Sequence, residues 1–201
     1  MRAWTFRTRG PPASVLKLDS NFPIPPSPTG SNLRIKISHA SLTPAIAHLM
    51  SIAPAIPFLS RPYIPELDFS GTIEATGASA PATLQPGVRV FGSIALPDFV
   101  LFGKGTLAEY VLVPAHMVAP LPNTTGFDMA EAAALNGNGQ TAALMVQNAG
   151  IHKGSRVFVN GGSGGVGTLA VQIAKAEGAY VVATGSGESA ALVKRLGADE
   201  V

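Results

Sequence analysis

Residues 155–177 read Ser155-Arg-Val-Phe-Val-Asn-Gly-Gly-Ser-Gly-Gly-Val-Gly-Thr-Leu-Ala-Val-Gln-Ile-Ala-Lys-Ala-Glu177, and their reading decides the expected fold. Val157, Phe158 and Val159 form a short apolar run of the kind buried on both faces of a parallel sheet, where polar alternation is not expected. The period then changes. Val166, Leu169, Ala170, Ile173 and Ala174 fall at i, i+3, i+4, i+7 and i+8, one stripe of an amphipathic helix, and Gly178 stands where a helix end favours a residue tolerant of positive φ. Between strand and helix, Gly162-Ser163-Gly164-Gly165-Val166-Gly167 has the spacing G-x-G-x-x-G. A pyrophosphate sits on the N–H groups and positive dipole end of a helix, and a Cβ there would hold the backbone away from it. A second apolar run, Tyr180 to Ala183, follows and completes a βαβ unit, the context that such a turn requires.

The chain has 201 residues, enough for one large or two small domains. Only 13% of them are charged, a low share that points either to a large core or to apolar surface covered by a neighbour. The 14 basic and 12 acidic residues are scattered rather than clustered, which argues against a nucleic-acid partner. Without cysteine there are no disulfides, thiol nucleophiles or thiolate metal ligands. His39, His48, His116 and His152 have no close metal-ligand spacing, so no metal site is expected. No run approaches the ~20 apolar residues of a membrane span, and no signal-peptide pattern follows Met1 to Arg9, so a cytoplasmic protein is expected.

Residues 1 to about 122 read as short strands separated by proline and glycine. Leu33 to Ser38 alternates strictly, with Leu33, Ile35 and Ile37 on one face and Arg34 and Lys36 towards water. Similar runs occur at Met1 to Phe6, Gly71 to Ala75, Val88 to Phe91 and Ala108 to Val113. Pro23 to Pro28 marks one extended loop and Pro54 to Pro65 another, since proline cannot donate to a ladder. The expected product is a small, irregular β-barrel-like domain. After Pro122 the composition changes: Asp128 and Glu131 have capping-box spacing before an Ala-rich segment, Gly137-Asn138-Gly139 is expected to break it, and a second helix is expected from Gln140 to Asn148, ended by Gly150. A short helix over about 189–196 is stopped by Gly197, and Ala198 to Val201 would begin a third strand of a sheet that ordinarily has roughly six.

Five motifs occur in order: Pro65-Glu-Leu-Asp-Phe-Ser-Gly71, Gly105-Thr-Leu-Ala-Glu-Tyr-Val111, Gln140-Thr-Ala142, Asn160 to Gly167, and Leu196-Gly-Ala-Asp-Glu-Val201. In order and spacing they resemble the zinc-independent medium-chain dehydrogenase/reductases, specifically the quinone oxidoreductase and enoyl reductase branch. The resemblance implies an α/β protein: a GroES-like β-barrel-type substrate domain over residues 1–122, then the first part of a doubly wound Rossmann domain over residues 123–201. It implies NADPH as hydride donor to an activated C=C or a quinone, with no zinc. By the same resemblance Gly162, Ser163, Gly164, Gly165, Val166 and Gly167 would cradle the pyrophosphate, Thr141 would lie near the nicotinamide, and Ser186 would approach the adenosine ribose.

Two departures from the family pattern bear on the site. After the second strand, Thr184-Gly-Ser-Gly187 carries no acid for a ribose 2′-hydroxyl, which favours NADP, yet Glu188 stands where relatives often carry a cation, leaving Lys194 and Arg195 as the nearest positive charges. NAD therefore stays open. The active-site pattern Ser-x-Asn-Pro-x-Asp appears as Ser41-Leu-Thr-Pro-Ala-Ile46, with Thr43 at the Asn position and Ile46 at the acid position. Thr43, His48 and Tyr63 are the candidate catalytic residues, with Tyr63 or solvent as the proton source. Two readings follow: a reductase of a small hydrophobic carbonyl or quinone, or a shortened, non-redox family member that binds or transforms a hydrophobic small molecule without cofactor turnover. A fragment of a longer chain is a third, and a homodimer is expected to cover the sheet edge if the chain is whole.

Overall fold

A computed structural model describes residues 1–52, 62–122 and 126–201, so the proline-marked stretch 53–61 lies outside the described residues. The chain divides into two compact units, Met1–Asn136 and Gly137–Val201. The division falls further along than the expected boundary after Pro122.

In the first unit, β1 (Ala3–Thr5), α1 (Pro12–Val15) and β2 (Lys17–Asp19) precede the long strand β3 (Asn32–Ala40), the helix α2 (Pro44–Ile52) and β4 (Asp68–Thr76). They are followed by β5 (Arg89–Ser93), α3 (Leu96–Phe102), β6 (Tyr110–Pro114) and β7 (Val118–Pro120). β1 and β2 form a two-stranded antiparallel ribbon, and the other five strands form one antiparallel sheet in the order β6-β3-β4-β5-β7. The alternation in β3 does what it predicts on the inner face. Leu33 and Ile35 are fully buried and pack with Phe69, Ile73, Val90 and Val113. Arg34, expected towards water, is half-buried because its guanidinium pairs with Glu74 on the neighbouring strand, at 2.5 Å from Nε to Oε2.

β3 and β4 approach so closely at one point that a Cβ on Gly71 would lie 2.4 Å from the Lys36 carbonyl oxygen, so only glycine fits there. The register shifts nearby, between Ile37 and His39, leaving Ser38 out of the ladder as a β-bulge.

The 20-residue helix α4 (Met129–Asn148) contradicts the expected break at Gly137-Asn138-Gly139. Its start is as read: the Glu131 N–H donates to Asp128 Oδ1 at 2.7 Å and the Asp128 N–H to Glu131 Oε2 at 3.3 Å, a reciprocal capping box. Each interior glycine costs about 1 kcal/mol relative to alanine. Burial of Ala132 and Ala133 before the pair and of Ala142 and Val146 after it outweighs that cost. The Ser70 hydroxyl also donates to the Met129 carbonyl, tying the start of α4 to β4.

The second unit continues with β8 (Arg156–Val159), α5 (Gly165–Ala176), β9 (Tyr180–Ala183) and α6 (Ala190–Arg195). β8 and β9 are parallel, the right context for the glycine turn between β8 and α5. Beyond α6 the chain returns to β9 through a parallel bridge, Val182 to Glu200, so the expected third strand begins where it was read. Gly178 and Gly197 take φ +83° and +115° after their helices, as C-terminal caps require. The buried face of α5 is turned slightly from the expected stripe. Ala170, Val171 and Ala174 are buried, with Val171 fully so, whereas Val166 and Leu169 are only half-covered. Val171→Ala removes two buried methyl groups and is expected to lower unfolding stability by about 2 kcal/mol in denaturant melts.

Candidate functional site

The glycine turn is built by what it must avoid. Gly167 begins the second half of the first turn of α5, and a Cβ on it would fall 2.1 Å from the Gly161 carbonyl oxygen. Gly162 passes β9 so closely that its Cβ would meet the Ala183 Cβ at 2.9 Å. Gly165 faces the Asn138 side chain of α4, whose Nδ2 lies 2.8 Å from where a Cβ would be. Gly161 alone in the turn takes a left-handed conformation, φ +77°.

Gly164 differs from these four. It is the N-cap of α5 with an extended backbone, φ −75° and ψ 167°, its missing Cβ has only the Gly161 carbonyl within reach at 3.3 Å, and no side chain caps the helix. The Thr168 N–H makes the first intrahelical bond, to the Gly164 carbonyl, so the N–H groups of Gly165, Val166 and Gly167 belong to the helix end that has no partner within the helix. A 12-residue helix with donors and a positive dipole end at a surface stripped of side chains suits an anionic pyrophosphate.

Thr184 holds this turn, a role the sequence reading missed. Its Oγ1 accepts from the Gly161 N–H at 2.8 Å and donates to Asn160 Oδ1 at 2.7 Å, and its carbonyl accepts from the Gly162 N–H at 2.7 Å. A β-branched hydroxyl residue directly after a buried strand was the signal for it. Ser186 starts a short 3-10 turn and its Oγ lies 3.0 Å from Ser189 Oγ, with Glu188 exposed between them. Lys194, one of the two nearest cations, donates from Nζ to the Asp199 carbonyl at 2.6 Å, while Arg195 is exposed. The Thr141 hydroxyl donates to the Gly137 carbonyl one turn back along α4, at 2.8 Å.

The candidates of the first unit lie around α2. Thr43 precedes the helix, and its Oγ1 accepts from the Ile46 N–H at 3.4 Å. Both the Thr43 N–H and hydroxyl converge on Oε2 of Glu66, at 3.1 and 3.0 Å. Glu66 is buried and is the one non-glycine residue at positive φ among the described residues, at +69°. Burial pushes its carboxyl pKa up, opposed by the two Thr43 hydrogen bonds and helped by the nearby Asp68 charge. The sequence reading passed over it, although a lone acid between Ile64-Pro65 and Leu67 was the available signal. Ile46 is buried against Met50 and Phe99. Tyr63 packs its ring against Phe6 and Phe99, at centroid distances of 5.5 and 6.0 Å, and donates its hydroxyl to the Val100 carbonyl at 3.3 Å. His48 is exposed on α2. Among the described residues no three histidine, aspartate or glutamate side chains gather as metal ligands, and no helix is long and apolar enough to cross a membrane.

Known proteins agree with this architecture. Residues 30–123 match the alcohol dehydrogenase GroES-like domain. The whole chain aligns with the medium chain reductase pydE of Acremonium at 39% identity, covering 60% of that protein, and with the trans-enoyl reductase poxH of Penicillium oxalicum at 32%, again covering 60%. Among solved structures, the quinone oxidoreductase of Coxiella burnetii superposes over the whole chain and 61% of its own length, with a TM-score of 0.84 and 30% identity. A mycobacterial protein solved in complex with NADPH does so with a TM-score of 0.80 and 27% identity, over 58% of its length. By these matches the chain resembles the medium-chain dehydrogenase/reductase superfamily, in its quinone oxidoreductase and enoyl reductase branch. It spans about 60% of the length of the relatives it matches.

The geometry of Glu66 gives a prediction of definite sign. A carboxyl whose pKa is raised by folding favours the fold when protonated, and that contribution is lost as pH rises through the folded pKa. Glu66→Gln keeps an acceptor for Thr43 without the buried charge. It is expected to melt higher than the parent at neutral pH, with the difference closing as pH falls towards the ordinary glutamate range near about 4.3; a gap constant with pH in thermal melts would contradict this.

Proposed function

We propose that the protein is an NAD(P)H-dependent oxidoreductase that transfers hydride to an α,β-unsaturated carbonyl or a quinone, with a small hydrophobic molecule as substrate and without zinc. The observation that carries this reading is the side-chain-free, uncapped N-terminus of α5 behind Gly164. The residues present fit the cofactor: Gly162, Ser163, Gly164, Gly165, Val166 and Gly167 would hold its pyrophosphate, Ser186 its adenosine ribose, and Thr141 would lie on the nicotinamide side. When bound, the cofactor supplies the hydride. The chain's part is to bind and orient. Thr184 fixes the turn, so its N–H groups are aimed before the anion arrives and no reorganisation is needed on binding.

Thr43, His48 and Tyr63 are proposed on the substrate side of the first unit. Tyr63 would have to give up the Val100 carbonyl to protonate a reduced substrate, and solvent is the other source. The absence of an acid over residues 184–187 supports NADPH, while the exposed Glu188 would repel a 2′-phosphate and keeps NADH in contention. A second reading, a non-redox family member that binds or transforms a hydrophobic molecule, is favoured by one observation: Ile46, at the position of the family's acid, is committed to an apolar cluster. If the chain is whole, a cytoplasmic homodimer that covers the sheet edge is proposed as its assembly.

Titration of the purified chain with NADPH and NADH, read by cofactor fluorescence, tests the proposal. Saturable NADPH binding is expected. Gly164→Val, whose Cβ meets only the Gly161 carbonyl at 3.3 Å in the empty protein but would stand against a bound pyrophosphate, is expected to weaken it at least about tenfold, the loss of ~1.4 kcal/mol, in a chain that still melts cooperatively. No binding of either nucleotide to a cooperatively melting chain would contradict the redox reading.

A further inference from the structure

β1 reverses the usual sense of an alternating strand. Its small residues Ala3 and Thr5 point inward, while Trp4, the chain's one tryptophan, points outward at 44% exposure. Its cross-strand partner in the ribbon is Leu18, 50% exposed. Large apolar side chains set side by side on a surface are the informative exception to random exposure. Here they are not on a flat face. They form one wall of a cleft of about 330 Å³ within the first unit, whose other walls are the end of β3 from Ile37 to Ala40 and the segment Thr106 to Glu109. That volume is at the lower end of the range for small-molecule pockets.

The polar groups around the cleft are of two kinds. Across the rim, Arg2 and Glu109 satisfy each other: Arg2 Nε lies 2.9 Å from Glu109 Oε1, and the Arg2 backbone N–H donates to Glu109 Oε2 at 2.8 Å. This pair leaves no net charge. Ser38 and His39 stand on the opposite wall at the β-bulge, a device that turns side chains out of a ladder and is over-represented beside binding sites. Among the described residues neither the Ser38 hydroxyl nor the His39 imidazole has a hydrogen-bond partner. Thr106, by contrast, is fully buried and spends its hydroxyl on the Asp68 carbonyl, so it contributes floor rather than recognition.

We propose that this cleft is a binding site for a small uncharged molecule with a flat or chain-like apolar body, which lies against Trp4 and Leu18, and one hydroxyl or carbonyl group, which bonds to Ser38 and His39. Arg2 and Glu109 spend their side-chain charges on each other and offer neither to an ionic ligand, an indole face favours a planar or extended apolar body, and two unused polar side chains on one wall select a single polar group. The inference uses none of the residues of the glycine turn and holds whether or not the chain binds NADPH.

Because Trp4 is the one tryptophan, replacing it with fluorotryptophan gives a single fluorine NMR signal that reports on this cleft alone. The probes are naphthol, naphthalene and naphthoate, which share one ring system and differ in the polar group. Naphthol is expected to shift the signal saturably, with naphthalene and naphthoate each about three- to tenfold weaker, the effect of one hydrogen bond. Leu18→Asp, at an exposed position, should abolish the shift without altering the melt, and Ser38→Ala combined with His39→Ala should bring naphthol down to the level of naphthalene. No saturable shift with naphthol, equal response to all three probes, or a shift that survives Leu18→Asp in a folded chain would overturn the proposal.

Discussion

The carbonyl oxygen of Gly161 occupies the space where residue 167 would carry a side chain, 2.1 Å from the ideal Cβ position. This one exclusion ties the exit of β8 to the first turn of α5, and the second unit depends on it. It lets the helix start directly above the strand, and its N–H groups then emerge at the sheet end rather than beside it. The parallel β9 closes the unit because Gly162 can slide past Ala183 and because Thr184 holds Gly161 and Asn160 from the other side. The core of Val171, Val181 and Val193 supplies the burial that keeps this close passage in place.

The first unit solves a different problem. A five-stranded antiparallel sheet with a bulge in β3 supports a loop-rich region whose shape is set by single contacts rather than by layers. The Glu66–Thr43 contact is the most demanding of these. It places a carboxylate in the interior on a left-handed backbone, a combination that costs free energy twice, and the two bonds it receives fix the segment leading into α2. Ile46 of the same segment is buried against Met50 and Phe99, so its shape rests on Glu66 and on apolar packing together.

Elements whose physics is local were legible in the sequence. β8, α5 and β9 followed from a change of hydrophobic period around a glycine run, the capping box at Asp128 and Glu131 from spacing, and the helix stops at Gly178 and Gly197 from the need for positive φ. What failed was settled by distant contacts. Gly137 and Gly139 argued for a break, but α4 runs through them because apolar positions on both sides are buried. Likewise, the stripe on α5 shifted to Val171 because the sheet, not the helix alone, decides which face is covered. Glu66, Thr184 and the Trp4–Leu18 wall were missed for a common reason: each has its role only through a partner far away in sequence or across a strand. Of the candidate residues, the turn from Gly162 to Gly167 was the part that spacing alone could locate, since glycine is demanded there by backbone geometry. The substrate-side candidates Thr43, His48 and Tyr63 came from position in a motif, which says nothing of where their hydroxyl or imidazole groups point.

The central claim is that the start of α5 is an anion cradle formed in advance of its ligand. Backbone amide NMR of the chain during titration with inorganic pyrophosphate tests it most directly. The account predicts saturable shifts concentrated at the amides of Gly164 to Gly167, with the Thr184-anchored amides of Gly161 and Gly162 moving little because their hydrogen bonds are already made. Shifts spread over the basic surface, or none at α5 while the anion binds elsewhere, would contradict it.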